Sequence, residues 1–344
     1  MQCVIKGAIT LTTNHSLTID EAAKLLRTGE AVAFPTETVY GLGADATSDD
    51  AVSKIFAAKG RPGDNPLIVH IGAIEDLQSV AAEVPDVAKK LMDAFWPGAL
   101  TIVLPKGSSV SDKVTAGLNT VGVRMPSHPV ALELLRKTKL PISAPSANIS
   151  GRPSPTTAQH VIDDLDGKIA GVVDGGSCEI GLESTVIDCS AGTPVILRPG
   201  GVTWEQIEAV IGNVNVAESV SDDESPKSPG MKYKHYAPAA PMFVVRGSHE
   251  FFDRVINDAR ADGKRAGILV TDENRDRYTA DVILTCGSGK DASSIARELY
   301  DVIRRFDAYD LDVIYCESFG QSGIGAAIMN RLLKASGNRI IEEL

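Results

Sequence analysis

The sequence predicts a two-domain protein in which short apolar strands alternate with helices, its final part forming a doubly wound α/β domain. Three observations lead there. The chain has 344 residues, and at roughly 150 residues per domain that is two domains. Short apolar runs bounded by Gly and Pro recur along it, separated by stretches of helical period. From about Asn213 to Ala240 the composition changes to a polar, punctuated segment that marks a linker. The expected units are therefore 1–212, a linker over 213–240, and 241–344.

Bulk composition narrows the function. With 43% hydrophobic and 23% charged residues, this is the make-up of a soluble protein. The net charge of -11 and pI near 5.1 argue against a broad basic face for nucleic acid, though not against a local basic site. No apolar stretch is long enough to cross a bilayer, and Met1 to Leu17 carries no run of signal-peptide length. Cys3, Cys178, Cys189, Cys286 and Cys316 show no Cys-x-x-Cys spacing. Reduced thiols in a cytoplasmic protein are expected, rather than a zinc site or a disulfide framework.

The elements follow in order. Thr18-Ile19-Asp20-Glu21 reads as a capping box and Gly29 as the stop of that helix. A strand at Ala31–Phe34 runs into Pro35-Thr36-Glu37-Thr38-Val39-Tyr40-Gly41-Leu42-Gly43, a structured loop offering hydroxyls and a tyrosine. It is either a satisfied turn or part of a site. Val52, Ile55 and Ala58 share a helical face, and Gly60, Pro62, Gly63 and Pro66 end that helix in an irregular loop. Lys59 and Arg61 sit at the break. They either neutralise a helix C-terminus or aim a point charge and a planar fork at one polyphosphate. Leu67–Ile71 reads as a buried strand containing His70, a residue type that in such a run is usually a core histidine with a hydrogen-bond partner.

Pro85 to Trp96 reads as a helix, with Leu100–Leu104 and Val121–Met125 as strands. Arg124 within a strand is costly unless paired. It calls for either a bound carboxylate or an internal Asp or Glu. The stretch from Pro141 to Ser154 is a short strand and a turn rich in small polar side chains. Ser146 and Asn148 alternate, so in extended chain they share a side. No Gly-x-Ser-x-Gly elbow surrounds Ser146, and hydrogen bonding to a ligand suits it better than covalent catalysis. Strands at Ala170–Val173 and Ser184–Asp188 follow. Pro194–Leu197 leads into Arg198-Pro199-Gly200-Gly201, which fixes another cation at a turn. Thr203 to Gln206 can cap a helix through Ile211. In the linker, Met231 to Pro238 is a basic, aromatic knot containing His235 and Tyr236, which a plain spacer does not need.

From Met242 onward, strand-like runs at Phe243–Val245, Gly267–Val270, Val282–Leu284 and Val313–Cys316 alternate with helix-like stretches over Asp291–Asp307 and Ala326–Ala335. Two glycine motifs are set aside. Gly287-Ser288-Gly289-Lys290 lacks the first glycine and the Ser/Thr of a P-loop. Gly323-Ile324-Gly325 is expected to have no strand–helix–strand unit after it.

The first unit thus offers Lys59, Arg61 and Arg198 on rigid turns, Arg124, a hydroxyl and amide loop, and no metal-ligand cluster. That set suits an anionic nucleotide beside a small carboxylate, with chemistry at phosphorus driven by positioning and charge.

Five ordered motifs carry a resemblance: Pro35 to Gly43, Lys59-Gly60-Arg61-Pro62, Ser143 to Asn148, Ser184-Thr185, and Leu197 to Gly200. Together they resemble the YrdC-type threonylcarbamoyl-AMP synthases over nearly all of residues 10–212, and the linker with a further small domain looks like the long, two-domain form. The resemblance implies a twisted, largely parallel sheet surrounded by helices, plus a small Rossmann-like C-terminal α/β domain. It implies that L-threonine, bicarbonate or carbon dioxide, and ATP give threonylcarbamoyl-AMP and pyrophosphate. Downstream transferase machinery would then modify tRNA, which this chain would meet only indirectly. Lys59, Arg61 and Arg198 would hold the phosphates and serve as the catalytic cations. Gly63, Thr120, Ala144, Ser146, Asn148, Ser154 and Tyr236 would meet the rest of ATP, with Tyr236 closing from the linker. Thr36, His70, Arg124 and Ser184 or Thr185 would hold threonine. Magnesium would arrive with ATP, without ligands from protein side chains. Two other classes fit YrdC-like domains. An RNA-binding module is disfavoured by the acidic pI, and a carbamoyl-phosphate-using domain would need acylphosphatase-like and zinc-finger segments that this chain lacks.

Overall fold

The computed structural model describes residues 13–217 and 235–343. Cys3, the polar run from Val220 to Gly230, and Lys232, Tyr233 and Lys234 lie outside the described residues. The first ten strands are β1 (Val32–Phe34), β2 (Gly41–Asp45), β3 (Ile68–His70), β4 (Leu100–Pro105), β5 (Thr120–Arg124), β6 (Ile142–Ser143), β7 (Gly171–Val172), β8 (Thr185–Asp188), β9 (Val195–Arg198) and β10 (Asn215–Val216). They form one sheet in the order β10-β9-β8-β4-β5-β3-β6-β2-β1-β7. Its last strand, β10, lies past the boundary expected at 212.

The sheet is mixed rather than largely parallel. Four pairings are parallel and five antiparallel. Chain length between strands accounts for part of this. Parallel neighbours need a crossover of a dozen or more residues. The loops joining β1 to β2 and β8 to β9 are far shorter, so those pairs turn back antiparallel.

Strand alternation divides the apolar side chains. Ala33 joins one cluster with Leu42, Val52, Ile55, Leu91 and Val161. Its neighbours Val32 and Phe34 join another with Leu26 and Leu134, as successive strand residues must. Ile55 has no exposed surface, so truncating it to alanine would cost about 2–5 kcal/mol. The capping boxes at Thr18/Glu21 and Thr203/Gln206 both form.

The second sheet contains β11 (Met242–Arg246), β12 (Ala266–Val270), β13 (Val282–Thr285), β14 (Val313–Glu317) and β15 (Ile340–Glu342). Its order is β13-β12-β14-β11-β15 and every pairing is parallel. Helix His249–Ala261 packs through Phe252 and Ile256 into one cluster. Helices Ala292–Arg305 and Ile324–Ser336 pack through Leu299, Ile303 and Leu332 into the other. This is the doubly wound arrangement expected. One expectation is corrected: β14, helix Ile324–Ser336 and β15 do form a strand–helix–strand unit across Gly323-Ile324-Gly325. The short, half-buried β15 gave too brief an apolar run to read. The Gly323 N–H at that helix start donates to Glu205 Oε1 at 3.1 Å. In the other dismissed motif, Ser288 Oγ and Gly289 N–H donate to the Glu273 carboxylate, so an internal anion fills the loop.

The two domains share a tight contact. Val39 and Leu182, in loops of the first, join the apolar cluster of the second. Gly181 lies at φ +77°, and a Cβ there would come within 2.5 Å of the Ala296 carbonyl oxygen. Asp164, whose side chain is fully buried, binds Arg152 at 2.7 Å and Arg304 of the second domain at 2.9 Å. Among the described residues no helix is long and apolar enough to cross a membrane.

Candidate active site

A cleft opens where the loops after β1, before β3 and after β6 meet the residues around β8 and the end of β9. Lys59 ends helix Asp49–Lys59, and Gly60 caps it in the left-handed region at φ 61°, which an L side chain adopts only with strain. The chain can therefore turn sharply and send both cations the same way. Lys59 is 2% exposed. Its Nζ donates to the carbonyls of Ser146 at 2.5 Å and Asn148 at 2.6 Å. Its own carbonyl accepts from Ser150 N–H at 2.9 Å. Burial, and then the neighbouring Arg61, push the Lys59 ammonium well below its usual range. An arriving anion would offset both effects. Arg61 donates to the carbonyls of Asn65 and Pro66 at 3.3 and 3.2 Å, which holds the irregular loop together.

Ser146 and Asn148 do share a side. Ser146 Oγ donates to Asn148 Oδ1 at 2.6 Å. Asn148 Nδ2 donates to the carbonyls of Ile149 and Arg152 at 2.8 and 2.9 Å.

Arg124 at the end of β5 is buried. Its Nε donates to Gly98 O at 3.1 Å and its Nη1 to Thr38 Oγ1 at 2.8 Å. Nη2 lies 2.7 Å from Glu37 Oε1 as an ion pair, without the alignment of a hydrogen bond. Burial raises the Glu37 carboxyl, but Arg124 outweighs it and the net is downward. Thr38 in turn contacts Thr36 Oγ1 at 2.8 Å, and Thr36 donates to Val39 O at 2.7 Å. Beside them His70 on β3 is buried, with no hydrogen-bond partner for its Nδ1 among the described residues. Burial and Arg124 hold it down at about 3, so the ring is neutral.

Arg198 ends β9. Its Nε and Nη2 donate to Ser184 O at 3.3 and 2.9 Å, and Nη2 also reaches Ser184 Oγ at 3.4 Å. Tyr236 and His235 close the cleft from the far side. Tyr236 is buried at φ 66°, a strained position for a bulky residue. Its ring packs on Tyr300 with centroids 5.0 Å apart. Burial, and then Arg61 and Lys334, hold His235 at about 3.

Thr36, Lys59, Arg61, His70, Arg124, Ala144, Ser146, Asn148, Ser184, Arg198 and Tyr236 thus all line one cleft. Gly63, Thr120, Ser154 and Thr185 do not. Gly63 is on the exposed loop. Thr120 lines a separate recess with Thr115. Ser154 Oγ donates to Glu183 at 2.6 Å. Thr185 Oγ1 bonds the backbone of Val202.

A family model described as "Telomere recombination", for Sua5, YciO and YrdC proteins, matches residues 24–200. One described as "Threonylcarbamoyl-AMP synthase, C-terminal domain" matches residues 202–337. The threonylcarbamoyl-AMP synthase of Bacillus subtilis is 56% identical over 94% of this chain and 94% of its own length. That of Pyrococcus abyssi is 49% identical over 93% of this chain and 94% of its own. The chain belongs to the threonylcarbamoyl-AMP synthase family. The crystal structure of P. abyssi Sua5 complexed with L-threonine superposes with a TM-score of 0.91 at 46% identity, covering 98% of this chain and 100% of that one. The family's reaction makes this chain an ATP-using, adenylyl-transferring enzyme, and both halves of the two-domain form are present.

Several groups in this synthase cleft went unread in the sequence. Glu183 lines it, accepting from Ser154, from Tyr300 OH at 3.0 and 2.8 Å, and from Arg331 Nε at 2.7 Å. Burial raises its carboxyl, but Arg331 and Arg198 outweigh that and hold it at about 2. Glu37 and Arg331, which do not line the cleft but pair with its Arg124 and Glu183, were also missed. The only signal for Glu37 was its place in the Pro35–Gly43 loop opposite a strand arginine. Nothing local marked Arg331. Among the described residues, no group of three or more His, Cys, Asp and Glu side chains is set to hold a metal.

Proposed function

We propose that this cleft binds ATP and L-threonine side by side and joins them through carbon dioxide, supplied as bicarbonate. The observation that carries the reading is the convergence of Lys59, Arg61 and Arg198 with Arg124, Thr36 and Ser184 on one cleft. The P. abyssi relative complexed with L-threonine supports it.

Lys59, Arg61 and Arg198 hold the phosphates. Ser146, Asn148 and Ala144 meet the nucleoside, and Tyr236 closes over it. Ser154 acts through Glu183. Gly63 shapes the loop that presents Arg61. Arg124, with Thr36, Ser184 and neutral His70, receives threonine. Its carboxylate shares the Arg124 guanidinium with Glu37. Thr120 and Thr185 stand behind the cleft walls.

Threonine's amine adds to carbon dioxide and loses a proton, giving a carbamate. A carbamate oxygen attacks the α-phosphorus, and the bond to the bridging oxygen breaks with its electron pair leaving on pyrophosphate. The three cations offset the charge that develops on the departing oxygens. Glu183 in the cleft and Glu37 beside Arg124 are both engaged by arginines, so a magnesium ion entering with ATP would be held mainly by phosphate oxygens. Magnesium would add charge neutralisation there.

The product is a mixed anhydride that a downstream transferase passes to a tRNA adenosine, so tRNA is met only indirectly. The described cysteines are all free thiols, which supports a cytoplasmic setting. Residues up to β10 form the catalytic unit, and the segment carrying Tyr236 joins it to 241–344. The test is pyrophosphate release from ATP with threonine and bicarbonate each withheld in turn. Release that ignores threonine refutes the reading.

A further inference from the structure

Arg331 lies on helix Ile324–Ser336 of the second domain, yet its side chain ends inside the first. It has no exposed surface. Nε donates to Glu183 Oε2 at 2.7 Å and Nη1 to Pro199 O at 3.0 Å. Its guanidinium carbon lies 5.9 Å from the centroid of the Tyr236 ring. Glu183 and Pro199 are the neighbours of the pair that forms the phosphate wall: Ser184 follows Glu183, Arg198 precedes Pro199, and Ser184 O accepts from Arg198. One planar fork therefore spans the two segments that present Arg198. They are tightly apposed: Gly201 N–H donates to Glu183 O at 3.2 Å, and a Cβ on Gly200 would fall 2.3 Å from that oxygen.

We propose that Arg331 is a positioning residue for the nucleotide site, and that through it the second domain is part of the catalytic apparatus. Arg331 does two things. It fixes the geometry of Arg198, and it occupies the Glu183 carboxylate so that Glu183 does not turn to neutralise Arg198. Tyr300 OH, on both Glu183 oxygens, holds the carboxylate toward the second domain. Burial raises the Glu183 carboxyl, but Arg331 and then Arg198 outweigh it, so Glu183 lies in the field of both guanidiniums. The role of the second domain is thus electrostatic as well as mechanical, and the inference rests on the ATP-binding reading above.

The test uses the full-length chain with ATP affinity by calorimetry and pyrophosphate release as separate readouts. Arg331→Met raises both Kd and KM for ATP about tenfold or more, because a small misplacement of a positioned group costs that much. KM for threonine stays within about twofold, since Arg124 is held by other partners. The double variant Glu183→Gln with Arg331→Met removes the stranded carboxylate. It is expected to be more thermostable than Arg331→Met and to recover part of the ATP affinity, which a merely structural role would not predict. Arg331→Met with unchanged ATP affinity overturns the proposal. A double variant as weak for ATP as the single also overturns it. If wild-type pyrophosphate release ignores threonine while ATP affinity still falls in Arg331→Met, the reaction assignment fails and the positioning role stands.

Discussion

Nη2 of Arg124 lies 2.7 Å from Oε1 of Glu37, so the guanidinium facing the proposed threonine pocket is already balanced from within. Both alternatives that a strand arginine raises hold together on the present account: an internal glutamate pairs with Arg124, and the substrate carboxylate shares it. Arg124→Lys keeps the charge but loses the fork that reaches Gly98 O, Thr38 and Glu37 at once. The expected result is a rise in KM for threonine of roughly tenfold or more, the loss of one or two charge-assisted bonds, with ATP affinity unchanged. Steady-state kinetics with each substrate varied separates the two effects.

Lys59→Ala or Arg61→Ala should each lower threonine-dependent pyrophosphate release about 10- to 150-fold, the equivalent of roughly 1.5–3 kcal/mol in charge-assisted bonds. Lys290→Ala should be nearly silent, because the loop beside it already holds the Glu273 carboxylate. Equal losses at all three positions would place the phosphate site elsewhere.

Much of this cleft was legible because its motifs are local. Gly60 beside Lys59 and the Pro-Gly turn after Arg198 mark where cations are fixed. The alternation of Ser146 and Asn148 gave their shared side. Side choice between Ser184 and Thr185 stayed open, although neighbours in extended chain point oppositely: Ser184 faces the cleft and Thr185 faces Val202. Strand direction was not legible either, since an apolar run reads the same both ways. Glu183, Tyr300 and Arg331 come from distant parts of the chain, and only burial joins them. No spacing rule reaches that far.

His70 and His235 are both held at about 3, below the ordinary value of about 6.5. The unfolded chain therefore takes up protons that the folded chain refuses. Their contribution to stability is full above about pH 6.5 and is lost as pH falls toward 3, with a slope on the order of 1.4 kcal/mol per pH unit for each ring. Thermal unfolding between pH 7.5 and 5 should show a falling Tm, and His70→Gln should flatten that fall. An unchanged slope in the variant would mean that His70 is already protonated in the fold.

Tyr236 occupies a strained backbone position to place its ring on Tyr300 at the mouth of the cleft. Tyr236→Ala should weaken ATP binding about tenfold, within the roughly 1–3 kcal/mol that stacking on a base contributes. Threonine binding should hardly change. Wild-type ATP affinity in this variant would leave the ring as interdomain packing alone.

The central claim is that one cleft couples ATP cleavage to threonine and carbon dioxide. Pyrophosphate release by the purified full-length chain, in carbon-dioxide-free buffer with threonine and bicarbonate added separately and together, tests it most directly. Release is expected only when ATP, threonine and bicarbonate are all present, with AMP retained in a threonylcarbamoyl conjugate. Pyrophosphate release at the same rate with threonine or bicarbonate absent would contradict it.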